Sequence, residues 1–150
     1  MFRRAPLLLG LLLLPGLGHP LTAGAYELFG PVKAAIIRVV DGDTVLVDAM
    51  PWPNQRIRTY VRLRGIDTAE VNSSCAAFRQ SANLAKQALS AMVDGRHNVT
   101  LTEISGDKYF GRVVATLKTD DGQDLAQALM QRGLAHPYAG KRKPKQACPD

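Results

Sequence analysis

Residues 56–65 alternate without a break: Ile57, Thr59, Val61 and Leu63 interleave with Arg56, Arg58, Tyr60, Arg62 and Arg64. A two-residue period sends successive side chains to opposite faces of a strand. This segment therefore lays one face on a core and turns a cationic face outward, and the chain is committed to a sheet. Residues 34–40 (AAIIRVV) and 44–47 (TVLV), joined by Asp41-Gly42, read as strand, turn and strand. Pro51-Trp52-Pro53-Asn54 breaks the pattern before the alternating segment. Residues 98–104 and 111–118 supply two further strands.

The period changes after Asn72-Ser73-Ser74. Phe78, Ala82, Ala85, Leu89 and Met92 recur at intervals of four and three, a buried helical stripe that ends near Asp94-Gly95. A turn at Asp121-Gly122 precedes a short helix over residues 125–132, capped by Asp124 and stopped by Gly133. The fold class these elements predict is α+β, mainly β: a five-stranded OB-fold barrel with a helix inserted after strand 3 and a short C-terminal helix. Barrels of this type often bind oligonucleotides on their open face.

Residues 1–25 stand apart from this pattern. Arg3 and Arg4 precede the apolar run at residues 7–14, and Ala23-Gly24-Ala25 closes the segment with an A-x-A cleavage pattern. Pro15, Gly16 and Gly18 interrupt the run, which falls short of the roughly 20 apolar residues of a permanent span. The expectation is a signal peptide cleaved after Ala25, one folded domain over residues 26–150, no stable membrane insertion after cleavage, and a periplasmic or secreted monomer. Losing two arginines and no acid takes the formal net charge from +6 to +4, still suited to a polyanionic partner. In an exporting compartment a bridge between Cys75 and Cys148, the only cysteines, is the first reading, with two free thiols as the alternative.

Two acidic clusters fall where turns bring side chains to a barrel rim: Asp41-Gly42-Asp43-Thr44 and Asp67-Thr68-Ala69-Glu70. Asp-Gly is the commonest hairpin signal, so Asp41 reads as a turn residue. Asp43, Asp67 and Glu70 together admit a solvated acidic rim or a site for a hard cation. Oxygen ligands with no cysteine or histidine nearby favour Ca²⁺ and make zinc a poor fit. Arg62, on the polar face of its strand, and Arg112, at the start of a later one, add the groups that bind phosphate oxygens bidentately and stay charged at any working pH. Arg56, Arg58 and Arg64 share the face of Arg62 and read as backbone-tracking or solvated charges. His97 and His136 sit in no acid–base spacing and read as surface polar residues.

The segments VVDGDTV (39–45), VRLRGIDTAE (61–70), DKYFGR (107–112), LAQAL (125–129) and GLA (133–135) resemble, in order and spacing, the staphylococcal nuclease (thermonuclease) family, over most of the mature chain. The resemblance implies that Asp43, Asp67 and the backbone carbonyl of Thr68 bind Ca²⁺, that Glu70 holds or deprotonates the attacking water, and that Arg62 and Arg112 clamp the phosphate. It implies DNA and RNA as substrates, cleaved at the 5′ oxygen to leave 3′-phosphate ends. Tyr109, Tyr138 and Lys108 are the candidate substrate contacts. Ala69 replaces the family's usual proline, and Phe110 makes Tyr-Phe-Gly-Arg one residue longer than Tyr-Gly-Arg. The polar tail around residues 141–145 stands in place of the family's long C-terminal helix, with Cys148 as its expected anchor. The competing expectation is a noncatalytic oligonucleotide-binding OB-fold module, which needs the arginines but has no use for three acids at a phosphate site.

Overall fold

The structure, a computed structural model, describes residues 27–95, 98–141 and 147–149. The signal segment, His97 and residues 142–146 of the tail lie outside the described residues. Eight strands and two helices follow in the order β1 (Glu27–Leu28), β2 (Val32–Val39), β3 (Thr44–Trp52), β4 (Gln55–Leu63), β5 (Ile66–Asp67), α1 (Ala76–Val93), β6 (Asn98–Gly106), β7 (Arg112–Thr119), α2 (Leu125–Gln131) and β8 (His136–Pro137). The sheet order is β1-β6-β2-β3-β4-β7, and β6 also pairs with β7. That last pairing closes β2, β3, β4, β7 and β6 into a five-stranded barrel, with β1 pairing the end of β6 beyond the stretch that pairs with β2. All neighbours are antiparallel except β4 and β7. The mainly-β barrel of OB type is thus the fold, with α1 following the third long strand.

The core follows the alternation. Val45, Val47, Val61, Leu63, Val99, Leu101, Ala115 and Leu117 point inward and are buried, and Leu89 of α1 with Leu125 and Leu129 of α2 joins the same cluster. In α1 the buried residues are Ala82, Ala85, Leu89, Met92 and Val93. In α2 the Asp124 side chain accepts a hydrogen bond from the backbone N–H of Gln127 at 3.1 Å, the expected N-cap. Burying these side chains against one another is what holds sheet and helices together, since neither a lone hairpin nor a short helix is stable in water.

Three details depart from the sequence reading. Pro51 does not end a strand: β3 runs on through Trp52, and the turn is confined to Pro53 and Asn54, the latter at φ 64°. A proline without an N–H is tolerated there because the ladder is already out of register between Ala49 and Trp52. The β3–β4 hairpin also projects past the barrel, so Ile57, on the apolar side of the alternation, is 52% exposed. The third is the two-residue sheet of β5 and β8, pairing Ile66 with Pro137 and Asp67 with His136, too short to have a period.

A bulge between Ile36 and Arg38 shifts β2 by one residue, so that Arg38 faces Leu46 rather than continuing the inward row of Val32, Ala34 and Ile36. The Cys75–Cys148 bridge is formed, with the two Cα atoms 5.6 Å apart. It ties the C-terminal tail to the start of α1. No described helix is long and apolar enough to cross a membrane.

Candidate active site

The turn between β2 and β3 is fastened before it presents anything. The backbone N–H groups of Val40 and Asp41 bond the Thr44 carbonyl at 2.9 and 3.3 Å, and the Asp41 carboxylate accepts the N–H of Asp43 at 3.1 Å, the turn role expected for Asp41. Gly42 packs so tightly that a Cβ there would lie 2.7 Å from the Ala85 Cβ and 2.8 Å from the Thr68 Oγ1. The turn is therefore clamped between α1 and the segment after β5, and Asp43 emerges beside Thr68 with only 3% of its surface exposed.

Three hydrogen-bond donors fix the Asp43 carboxylate. Thr44 Oγ1 donates at 2.9 Å, the Thr68 N–H at 3.4 Å and Arg62 Nη1 at 3.0 Å. The same guanidinium reaches Asp67 through Nη2 at 2.6 Å. Arg62 therefore sits as one cation between two carboxylates carried by different parts of the chain. Burial pushes the Asp43 carboxyl up to about 6, with the Arg62 charge opposing and the neighbouring Asp41 assisting. Burial works against the Arg62 charge, but Asp43 and Asp67 outweigh it and hold the guanidinium above its ordinary value.

Arg112, the first residue of β7, arrives next to this group because β7 runs parallel to β4, with Arg112 beside Tyr60 and Val114 beside Arg62. Its Nε donates to Asp107 at 2.5 Å, and its guanidinium lies 4.7 Å from the centre of the Tyr109 ring. Burial alone would raise the Asp107 carboxyl, but the hydrogen bond and charge of Arg112 outweigh it and keep the carboxyl below the usual carboxylate range. Asp107 was not singled out in the sequence. Its signal is weak, an acid five residues before an arginine across a glycine turn.

Tyr138 follows β8, and its N–H bonds the Gly65 carbonyl at 2.8 Å, which sets its ring 5.8 Å from the Arg62 guanidinium. Each of the two arginines thus lies near one tyrosine. The Lys108 Nζ lies 5.0 Å from the centre of the Tyr109 ring. Glu70 is exposed in the loop between β5 and α1, where its carbonyl accepts the Ser73 N–H at 3.1 Å. Arg79 holds the end of that loop through the carbonyls of Ser73 and Ser74 at 2.8 and 2.9 Å.

Asp43, Arg62, Thr68, Glu70, Lys108, Tyr109, Arg112 and Tyr138 all line one open cleft of about 1110 Å³, and Asp67 is joined to it through Arg62. Every candidate but the bridge cysteines is gathered there. Arg64 is drawn away: it bonds the Glu103 carbonyl, Ser105 Oγ and the Val114 carbonyl, pinning β4 to β6 and β7. His136 is exposed, with its backbone in β8.

Among the described residues no three acids, cysteines or histidines cluster as a metal-binding group. Two hard carboxylates nevertheless face a single cationic position, now filled by Arg62, and an oxygen-donor pair with that charge suits a hard divalent cation. One consequence is testable without any metal. The folded Asp43 value of about 6 lies above the ordinary 3.8, so protonated Asp43 favours the fold. That contribution is complete below about pH 3.8 and is lost as the pH rises through about 6, on the order of 3 kcal/mol. Urea unfolding in chelator should show wild type losing this stability between pH 4 and 7 and Asp43→Asn keeping it. Parallel pH profiles in the two proteins would show that Asp43 titrates normally.

The family model described as staphylococcal nuclease homologue matches residues 60–149. The match takes in Arg62, Asp67, Glu70, Arg112 and both tyrosines, and Asp43, upstream of it, joins them through its contacts with Arg62 and Thr68. No curated protein matches the chain.

Proposed function

The chain belongs to the staphylococcal nuclease family, and on that premise we propose that it is an exported, Ca²⁺-assisted endonuclease that hydrolyses phosphodiester bonds of DNA and RNA. The observation that carries this reading is the meeting, in one cleft, of Arg62 held between Asp43 and Asp67 with Arg112 and Glu70. A binding groove for polyanions gains nothing from acids beside its arginines; a hydrolase needs both.

Arg62 and Arg112 bind the nonbridging phosphate oxygens and neutralise charge that builds up on phosphorus. Asp107 and Tyr109 keep the Arg112 guanidinium facing the cleft. Glu70 takes a proton from water, whose oxygen attacks phosphorus. The bond to the 5′ oxygen breaks, that oxygen leaves as an alcohol after protonation, and the other strand end keeps a 3′-phosphate. Asp43, Asp67 and the Thr68 carbonyl would hold Ca²⁺, which when bound supplies further positive charge at the phosphoryl oxygen. Arg62 cannot satisfy both carboxylates and a phosphate with the same N–H groups, so neutralising the acids releases it to the substrate. Tyr109, Tyr138 and Lys108 line the way in and offer stacking and charge to the strand.

The export half of the proposal is supported by the charged and apolar make-up of residues 1–25 and by the disulfide, which persists in oxidising compartments. Protein recovered from periplasm or medium should begin at Tyr26 and should degrade plasmid DNA and RNA with Ca²⁺ but not with chelator. DNA binding without Ca²⁺-dependent cleavage would return the noncatalytic OB-fold module.

A further inference from the structure

Four residues point outward along β4, Arg56, Arg58, Tyr60 and Arg62, and Arg64, just past its end, continues the row. Three are accounted for, Arg62 by Asp43 and Asp67, Arg64 by the carbonyls and hydroxyl it bonds, and Arg56 by a 2.8 Å ion pair with Asp48. Arg58 is exposed and has no ion pair or side-chain hydrogen bond among the described residues. Tyr60 is 39% exposed, which leaves part of its ring open to a ligand.

The strand register places these two in a continuous row with the cleft. Tyr60 lies beside Arg112 on β7 and opposite Leu46 on β3. Leu46 in turn faces Arg38 on β2, the residue that the bulge turns outward. The Arg38 guanidinium crosses Leu46 and donates to the Tyr60 hydroxyl at 3.4 Å. Arg112, Tyr60 and Arg38 thus run across the barrel wall, and Arg58 continues the row along β4. The nearby acids are engaged, Asp48, opposite Arg58, with Arg56, and Asp107 with Arg112.

We propose that this wall is an accessory subsite for a single nucleic-acid strand, in which Arg38 and Arg58 take backbone phosphates and a base stacks on Tyr60. A sheet face that presents an aromatic ring among cations, two of which (Arg38 and Arg58) have no ion pair among the described residues, matches the chemistry of single strands, whose bases all offer a π face and whose phosphates repeat. Arg58 lies four residues from Arg62 along β4, about 13 Å, close to the rise of about four stacked nucleotides. The subsite leads the strand away from the scissile bond and makes the enzyme favour longer substrates. It rests on the nuclease reading only for the direction in which the strand continues.

The test compares wild type with Arg38→Ala/Arg58→Ala and with Tyr60→Ala on two substrates, a 12-nucleotide single strand and a dinucleotide. The expected result is a loss of about tenfold in kcat/KM on the 12-mer for each variant, with the dinucleotide unchanged within about twofold. Anisotropy of a labelled 12-mer in chelator should show the salt slope of binding falling by about 1.4 in the double-arginine variant, two phosphates at about 0.7 each. Equal losses on both substrates, or an unaltered 12-mer, would overturn the subsite. Arg58→Ala alone serves should the double variant unfold, with a slope change of about 0.7. If wild type binds the 12-mer but cuts neither substrate, the nuclease reading fails while the salt slopes still decide the subsite.

Discussion

Glu70→Gln is expected to slow DNA cleavage by a factor of about 10² to 10⁴ while leaving the affinity for DNA within a few-fold of wild type. The substitution keeps the size and reach of the side chain while removing its charge and its ability to accept a proton. Glu70 is exposed on the cleft wall, so no core packing is disturbed. Arg112→Ala belongs to the same experiment, with about 10² to 10³ lost in kcat. Among the described residues its side-chain hydrogen bonds go to Asp107, beside the Tyr109 ring, and none goes to the backbone of a neighbouring strand, so truncation removes charge at the phosphate rather than a hydrogen bond between strands. Single-turnover rates and binding isotherms, measured separately, check both. Losses that appear equally in affinity and rate would mean that these groups hold the substrate and do not act on the transition state.

Replacing both bridge cysteines, Cys75→Ser with Cys148→Ser, should cost about 4 kcal/mol of stability on the loop-entropy estimate, because the bridge closes a separation of 73 residues. For a domain of this size that is a large share of the 5 to 15 kcal/mol typical of native proteins. Urea unfolding of the double variant against the oxidised wild type gives the difference directly. A change below about 1 kcal/mol would mean that the bridge orders only the tail. Activity gives a second readout: Cys75 immediately precedes α1, and its N–H bonds Ser73 Oγ at 3.2 Å at the exit of the Glu70 loop. The double variant should therefore lose rate before it loses DNA affinity.

The site was legible in the sequence to the extent that its residues lie in short local patterns. Asp43 follows a hairpin signal, Arg62 occupies the polar phase of an alternating strand, and Glu70 and Arg112 fall in segments that resemble a known family. What could not be read is how these residues satisfy one another. Arg62 rests between the two carboxylates, Asp107 positions Arg112, and Arg64, indistinguishable in the sequence from Arg62, is spent on the backbone of neighbouring strands. The two arginines stand two residues apart, Arg62 on β4 and Arg64 just past its end, and only the strands that come to lie beside each decide its partners. Tyr138 reaches Arg62 because two-residue strands, Ile66–Asp67 and His136–Pro137, pair although they lie far apart in the chain, a pairing with no periodic trace.

Secondary structure along this chain was set by the sequence itself, since the two-residue alternation of Val61 and Leu63 with Arg62 and Arg64, the helical spacing of Ala82, Ala85 and Leu89, and the Asp124 cap are consequences of local backbone geometry. Strand partnership was decided by the tertiary structure. The parallel pairing of β4 with β7 and the closure of β6 on β7 depend on which arrangement buries all the inward rows at once, and a sum over distant contacts leaves no mark on any single stretch of residues. The same closure brings Arg112 beside the Arg62 strand, so the chemistry of the cleft is a property of the barrel and not of its separate motifs.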